Sequence, residues 1–233
     1  MNTRRSAIAV GLLCLLGAGS SIRAEISAQL DGSGNYVRTV VFANASVHNL
    51  KIWTVTRTKI GFTPLNPQGD AAGDMWPFIL ETPTVQRWPW AVWSHFNGHD
   101  FDLVYSRWTG TGWQPTTSVE AAPGAGDAIT PRLAYDTTAR PHLVWLQTTP
   151  DGNSTVMLSV FLATRWMVPF AVSSPDEAPT SPDLTVLPDG TIEITYDTAL
   201  GKVTKEVRFL RPFTITDDIT PFNAMWVSSM SAN

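Results

Sequence analysis

Three groups of residues in this 233-residue chain carry side chains that could hold a ligand or do chemistry. The first surrounds Asn97-Gly98 and comprises His95, His99, Asp100 and Asp102. Imidazole and carboxylate can share a metal ion, provided His95 and a second donor lie on one strand face. Asn-Gly favours a two-residue hairpin, which would set Phe96 against His99 and His95 against Asp100. The same residues suit a solvated hairpin tip, and no metal is assigned to them. The second group is Arg132 and Asp183, a cation and an anion that could anchor a charged or hydroxylated ligand, or pair with each other. The third is Trp88 and Trp90, beside Arg87, Trp76 and Trp93. An exposed tryptophan stacks on a sugar ring, because its flat apolar face meets axial C–H groups. A buried one fills a core. Trp93 matches Trp145 in the next repeat, and both are expected inside.

Other chemistries lack their residues. There is no Gly-x-Ser-x-Gly, no His-Glu-x-x-His, no Gly-rich phosphate loop and no paired-cysteine motif. Asp31-Gly-Ser-Gly-Asn35 resembles the start of a calcium loop, but Phe42 stands at its closing position. The single cysteine, Cys14, lies in the N-terminal apolar run. The rest of the chain therefore forms no disulfide and offers no thiolate. No cofactor is expected.

Residues 1–24 read as a signal peptide: Arg4 and Arg5, then an apolar run from Ala7 to Ala18, then small residues. Cleavage is expected after Ala24, with Ser20 as the second choice; Arg4-Arg5 leaves Sec and twin-arginine export both open. The apolar run is too short to span a bilayer, so no stable membrane insertion is expected once it is removed. The protein is expected to be exported, to the periplasm or beyond the cell. Without Arg4, Arg5 and Arg23, the 16 basic residues become 13 against 20 acids, a net charge of −7. That sign suits neither a nucleic-acid backbone nor an anionic membrane.

Residues 25–233 are organised by repetition. Ile26–Asp31, Pro77–Thr82, Pro131–Asp136 and Pro182–Leu187 resemble one another and recur about every fifty residues. Each is followed by two more alternating runs: Tyr36–Ala43, Trp88–Phe96, His142–Gln147 and Ile192–Asp197, then Leu50–Thr56, Phe101–Trp108, Thr155–Phe161 and Val203–Phe209. An aromatic residue, Phe62, Trp113, Trp166 or Phe213, then opens a fourth short segment. Alternation, β-branched residues and intervening Gly, Pro, Asn and Asp mark every run as a strand. Four strands per repeat of this length is the arithmetic of a propeller blade. The fold class is therefore all-β, a β-propeller of about four four-stranded blades, with repeats near 26–76, 77–130, 131–181 and 182–228. Ile219–Trp226 resembles the start of a further repeat, which leaves open an incomplete ring and one completed by a homo-oligomer. The recurring aromatics belong between blades.

Blade geometry fixes where loops emerge. Asp70, Asp74, Glu120, Asp127, Asp176 and Glu177 fall in loops joining one blade to the next, with Asp217 and Asp218 after the last. Asp100 and Asp151 fall in loops of the same face. These loops carry no lysine or arginine, which predicts an acidic rim able to attract cations or a basic partner. Ser27, Phe78, Arg132 and Asp183 hold the same place in the four inner strands, near the channel mouth on that face.

Two segments carry a resemblance to a known family: Tyr105-Ser-Arg-Trp-Thr-Gly-Thr-Gly-Trp113, and Pro131–Asp136 with Pro141-His-Leu-Val-Trp145. They resemble the blades of bacterial sialidase-like, BNR-type propeller proteins. Of the sialidase Asp-box, Ser-x-Asp-x-Gly-x-x-Trp, the positions Ser106, Gly110 and Trp113 are kept and Trp108 replaces the aspartate. The Gly-Trp ending also resembles small fucose-binding propeller lectins. The sialidase likeness implies three arginines, a tyrosine–glutamate pair and an aspartate. Arg132 could fill one arginine role, and no glutamate recurs beside Tyr36, Tyr105, Tyr135 or Tyr196. The expected function is an exported, non-catalytic propeller binding a carbohydrate or a protein. The alternatives are a sialidase-like glycoside hydrolase with a diverged site, and a structural, self-associating module.

Overall fold

A computed structural model describes residues 24–30, 36–43, 50–55, 60–64, 74–80, 89–109, 113–119, 126–209 and 225–231, with side chains described between 74 and 209. Nearly all described residues in regular structure are β. Pro175–Glu177, a single 3-10 turn, is the one helical element among them.

The strands form four antiparallel sheets in chain order, each a meander of consecutive strands. Sheet 1 holds β1 (Ala24–Leu30), β2 (Tyr36–Ala43), β3 (Leu50–Val55) and β4 (Ile60–Pro64). Sheet 2 holds β5 (Asp74–Leu80), β6 (Trp90–Phe96), β7 (Phe101–Arg107) and β8 (Thr117–Ser118). Sheet 3 holds β9 (Asp127–Tyr135), β10 (Pro141–Thr148) and β11 (Ser154–Leu162). Its outer strand is split into β12 (Arg165–Trp166) and β13 (Phe170–Ala171), both paired with β11. Sheet 4 holds β14 (Thr180–Val186), β15 (Ile192–Thr198), β16 (Gly201–Phe209) and β17 (Met225–Ser231).

The second and third strands of every repeat lie where the alternation places them, within two residues. Of the further repeat read in Ile219–Trp226, only Met225 and Trp226 lie within the described residues. Met225 and Trp226 open β17, which pairs with β16 from Phe209–Met225 to Val203–Ser231. The tail satisfies the outer edge of its own sheet, an edge that a third strand otherwise leaves unpaired. Phe213 lies outside the described residues.

The first strands start earlier than the sequence suggests. Pro77, Pro131 and Pro182 do not open them, because each strand passes through its proline by a bulge. Register shifts once in β5, β9 and β14, so that Trp76-Pro77, Thr130-Pro131 and Ser181-Pro182 each oppose one residue of the second strand. The bulge accommodates a residue that has no N–H to give to the ladder. The residue before each proline is left-handed, with φ of 49°, 52° and 51° at Trp76, Thr130 and Ser181. The residues opposite the bulges are Trp93, Trp145 and Tyr196, the three bulkiest of the fully buried side chains.

Sheet 3 packs through both faces. In β10, Leu143 and Trp145 join Trp90, Val92, Leu103, Tyr105, Phe161 and Trp166 between sheets 2 and 3. Val144 and Leu146 point the other way, joining Leu184, Ile192, Ile194, Tyr196 and Val207 between sheets 3 and 4. Strands buried on both faces read as continuous apolar runs, and β10 is buried from Pro141 to Gln147.

The described Asp-box-like positions Ser106, Trp108 and Trp113 flank the connection that follows the third strand of sheet 2. Ser106 Oγ donates to the Gln114 carbonyl at 2.6 Å, and Ser159 Oγ to the Met167 carbonyl at 2.8 Å. Trp108 meets Trp113, and Phe161 meets Trp166, with ring centroids 5.9 and 5.4 Å apart. Ser159-x-Phe161-x-Ala163-x-x-Trp166 thus repeats Ser106-x-Trp108-x-Gly110-x-x-Trp113 at identical spacing. Ala163 takes the glycine position at φ 52°. Alanine is disfavoured in that region by about 1–2 kcal/mol. Ala163→Gly should therefore raise unfolding stability by about 0.5–1 kcal/mol once glycine's greater unfolded-state freedom is deducted. Urea titration checks it; a loss of stability would contradict the turn geometry.

The turn between β9 and β10 is held by Asp136. Its Oδ1 accepts from the Thr138 and Arg140 backbone N–H groups at 2.8 and 2.9 Å, and its Oδ2 from Arg140 Nε at 2.8 Å. Burial alone would raise the Asp136 pKa, but these bonds outweigh it and hold the carboxyl below its usual range. Burial pushes the adjacent His142 down to about 4, against the pull of Asp136. His142 is thus neutral when folded and takes up a proton near pH 6.5 when unfolded, so acid favours the unfolded chain. Stability should fall as pH drops from 6.5 towards 4. Denaturant melts across that range should show a smaller loss in His142→Gln; an equal loss would contradict the assignment.

Candidate functional site

The bulges place three dissimilar side chains at one level of adjacent inner strands. Phe78, Arg132 and Asp183 each follow a bulge proline and stand opposite Val92, Val144 and Thr195. Strand β9 lies between β5 and β14. Arg132 Cζ sits 5.3 Å from the centroid of the Phe78 ring, a cation–π contact, and Arg132 Nη1 donates to the Pro131 carbonyl at 2.8 Å. The expected Arg132–Asp183 ion pair is absent: Arg132 lies over Phe78, and Asp183 is exposed, accepting from the Leu184 N–H at 2.9 Å. Trp76, half-buried on the β5 bulge, meets the Phe101 ring edge-on at 5.4 Å.

Trp90 is not a ligand platform. It is 6 % exposed, stacks on Tyr105 at 5.3 Å and takes the edges of Phe161 and Trp166 at 4.8 and 6.0 Å. Alternation along β6 turns it into the seam between sheets 2 and 3. Trp93 and Trp145 are buried as expected. Trp88 lies outside the described residues.

The hairpin at Asn97 spans four residues, not two. Phe96 pairs with Phe101 and His95 with Asp102. The Asn97 side chain closes the loop, its Oδ1 accepting from the His99 and Asp100 N–H groups. His95 and His99 are therefore separated. His99 is exposed at the tip, while His95 Nδ1 lies 2.8 Å from Asp74 Oδ1. No cluster of three metal-ligating side chains occurs among the described residues.

Three of the expected rim acids are structural. Asp74 is buried and accepts from Trp93 Nε1 at 3.1 Å as well as facing His95. Asp127 accepts from the Phe101 N–H at 3.1 Å, tying sheet 3 to sheet 2. Glu177 accepts from Tyr196, from Lys205 Nζ at 2.8 Å and from the Ser174 N–H at 3.0 Å. Lys205 reaches this network from strand β16, which a survey of loops alone overlooks. Asp176 and Asp151 are exposed; Asp70, Glu120, Asp217 and Asp218 lie outside the described residues.

The Glu177–Tyr196 pair was missed in the sequence, although Ser174-Pro-Asp-Glu177 has the spacing of a capping box, which does form. A tyrosine beside a glutamate suggests a nucleophile and its base. Tyr196 is instead fully buried, and burial, then Glu177, push its phenol above the usual tyrosine range. A nucleophilic phenol needs the opposite shift. Tyr196 serves as a hydrogen-bond donor that seats the turn on the core.

Among solved structures, the chain superposes on a protein of unknown function from Dyadobacter fermentans with a TM-score of 0.59 and 12% identity, covering 79% of this chain and 65% of that one. It superposes on the Hadza microbial sialidase Hz136 with a TM-score of 0.53 and 12% identity, covering 78% of this chain and 43% of that one. The fold is of the β-propeller kind. The chain spans just under two thirds of the first relative's length and less than half of the second's. No family model matches the chain, and no curated protein sequence does.

Glu177→Ala should leave the Tyr196 hydroxyl and Lys205 without their shared acceptor, at a cost of about 1–3 kcal/mol. Urea unfolding checks this; unchanged stability would mean that the network does not hold the turn.

Proposed function

We propose that this protein is an exported, non-catalytic propeller that binds a carbohydrate at the mouth formed by its inner strands. The observation that carries the reading is Arg132 laid on Phe78, with exposed Asp183 on the neighbouring strand. Arg132 pairs with no carboxylate among the described residues, so its remaining N–H groups suit an incoming oxygen. Asp183 supplies acceptors for hydroxyl groups. Half-buried Trp76 adds aromatic surface to the same end of β5. A sialidase among the fold relatives agrees in kind with a sugar ligand. A protein ligand is the other occupant of the same surface. On this reading the four sheets are the blades of one propeller, either closed by themselves or completed by a second copy.

Tyr196, fully buried and donating to Glu177, is not placed to act as a tyrosine nucleophile. Glycan-array screening followed by calorimetry tests the proposal. Arg132→Ala should weaken the ligand found by about ten- to a hundredfold, the worth of a lost charge-assisted hydrogen bond. Full affinity in a folded Arg132→Ala protein would place the site elsewhere. Turnover of fluorogenic glycosides would replace the non-catalytic reading with a hydrolytic one.

A further inference from the structure

The hairpin between β6 and β7 holds a reactive arrangement that ligand binding does not use. Asn97 is exposed, and its Oδ1 accepts two backbone N–H groups, from His99 at 2.8 Å and Asp100 at 3.0 Å. Its Nδ2 donates to the carboxylates of Asp100 and Asp102. Two donors on one carbonyl oxygen polarise its carbon towards attack, by the electrostatics of an oxyanion hole. The next backbone nitrogen belongs to Gly98, which is exposed at φ +103°, and no atom beyond its two chain neighbours lies within 4 Å of where a Cβ would stand. A nucleophile one residue away, unshielded by a side chain, has the advantage of proximity.

We propose that Asn97 is a self-modification site, converting to aspartate and isoaspartate through a cyclic imide with Gly98. The Gly98 nitrogen forms a bond to Asn97 Cγ and gives up its proton to solvent. The Cγ–Nδ2 bond breaks, and Nδ2 takes a proton and leaves as ammonia. Water then adds to either imide carbonyl and opens the ring. Opening at Cγ restores the normal backbone, and opening at the Asn97 backbone carbonyl passes the chain through the side chain. Water is the one co-reactant, and no group is oxidised or reduced. Either product exchanges the amide donor between Asp100 and Asp102 for a third carboxylate, so conversion loosens the tip.

The test incubates the full chain, folded, at mildly alkaline pH and maps peptides for the one-dalton mass gain and for isoaspartate. Asn153, also exposed, is the internal control. Asn97 should convert first, and Gly98→Ala should slow it about tenfold, the effect of roughly 1.4 kcal/mol of added crowding on the barrier. Asn97 intact while Asn153 has converted would overturn the proposal. So would an unchanged rate in Gly98→Ala. Should that variant fail to fold, the comparison of Asn97 with Asn153 in the native chain decides.

Discussion

Sheets 2 and 3 are apolar on both faces, and no sheet of this kind is stable until both are covered. That constraint organises the described structure. The second strands of sheets 3 and 4 each send one large, fully buried side chain into the space beside a neighbouring sheet, Trp145 between sheets 2 and 3 and Tyr196 between sheets 3 and 4. Trp93 is buried on the opposite face of sheet 2 with Ile79, Ala91 and Val104. Trp93, Trp145 and Tyr196 each carry one polar atom, and each finds an acceptor at the same end of its sheet: Asp74, Gln147 and Glu177. The inner strand bulges opposite each of them. Filler, acceptor and bulge form one recurrent unit.

That unit explains why the acids of this face are less free to meet a ligand than they read. Asp74 and Glu177 are spent on aromatic tips, and Asp127 on a backbone N–H of the preceding sheet. It also explains the candidate site. The bulges place Phe78, Arg132 and Asp183 at one level, and Phe78 also packs against the core between sheets 2 and 3. The bulky fillers opposite the bulges repeat in kind across the sheets, while these three residues differ.

The period, the strand order and the second and third strands were legible because alternation and turn residues are local properties. Gly152 and Gly190 stand where Asp-Gly signals a turn, both with φ of 85°. The bulges were not legible. Trp, Thr and Ser do not advertise a left-handed backbone, and a proline reads as a strand start more readily than as a strand interior. Asn97-Gly98 gave the hairpin but not its length, since Asn97 closes the loop through its side chain. Trp90 looked like a possible platform because alternation assigns a face without saying what covers it. Glu177 and Tyr196 lie 19 residues apart, and only the fold brings them together.

The account stands on side-by-side packing of sheets, and its most direct test is the coupling between Trp90 of sheet 2 and Phe161 of sheet 3, whose rings lie 4.8 Å apart. A double-mutant cycle with leucine at each position, read by urea unfolding, measures it. The two changes should be non-additive by about 0.5–1.5 kcal/mol, the worth of an aromatic pair beyond its buried area. Strict additivity would mean that these two faces do not meet, and the stacked-sheet arrangement would fall.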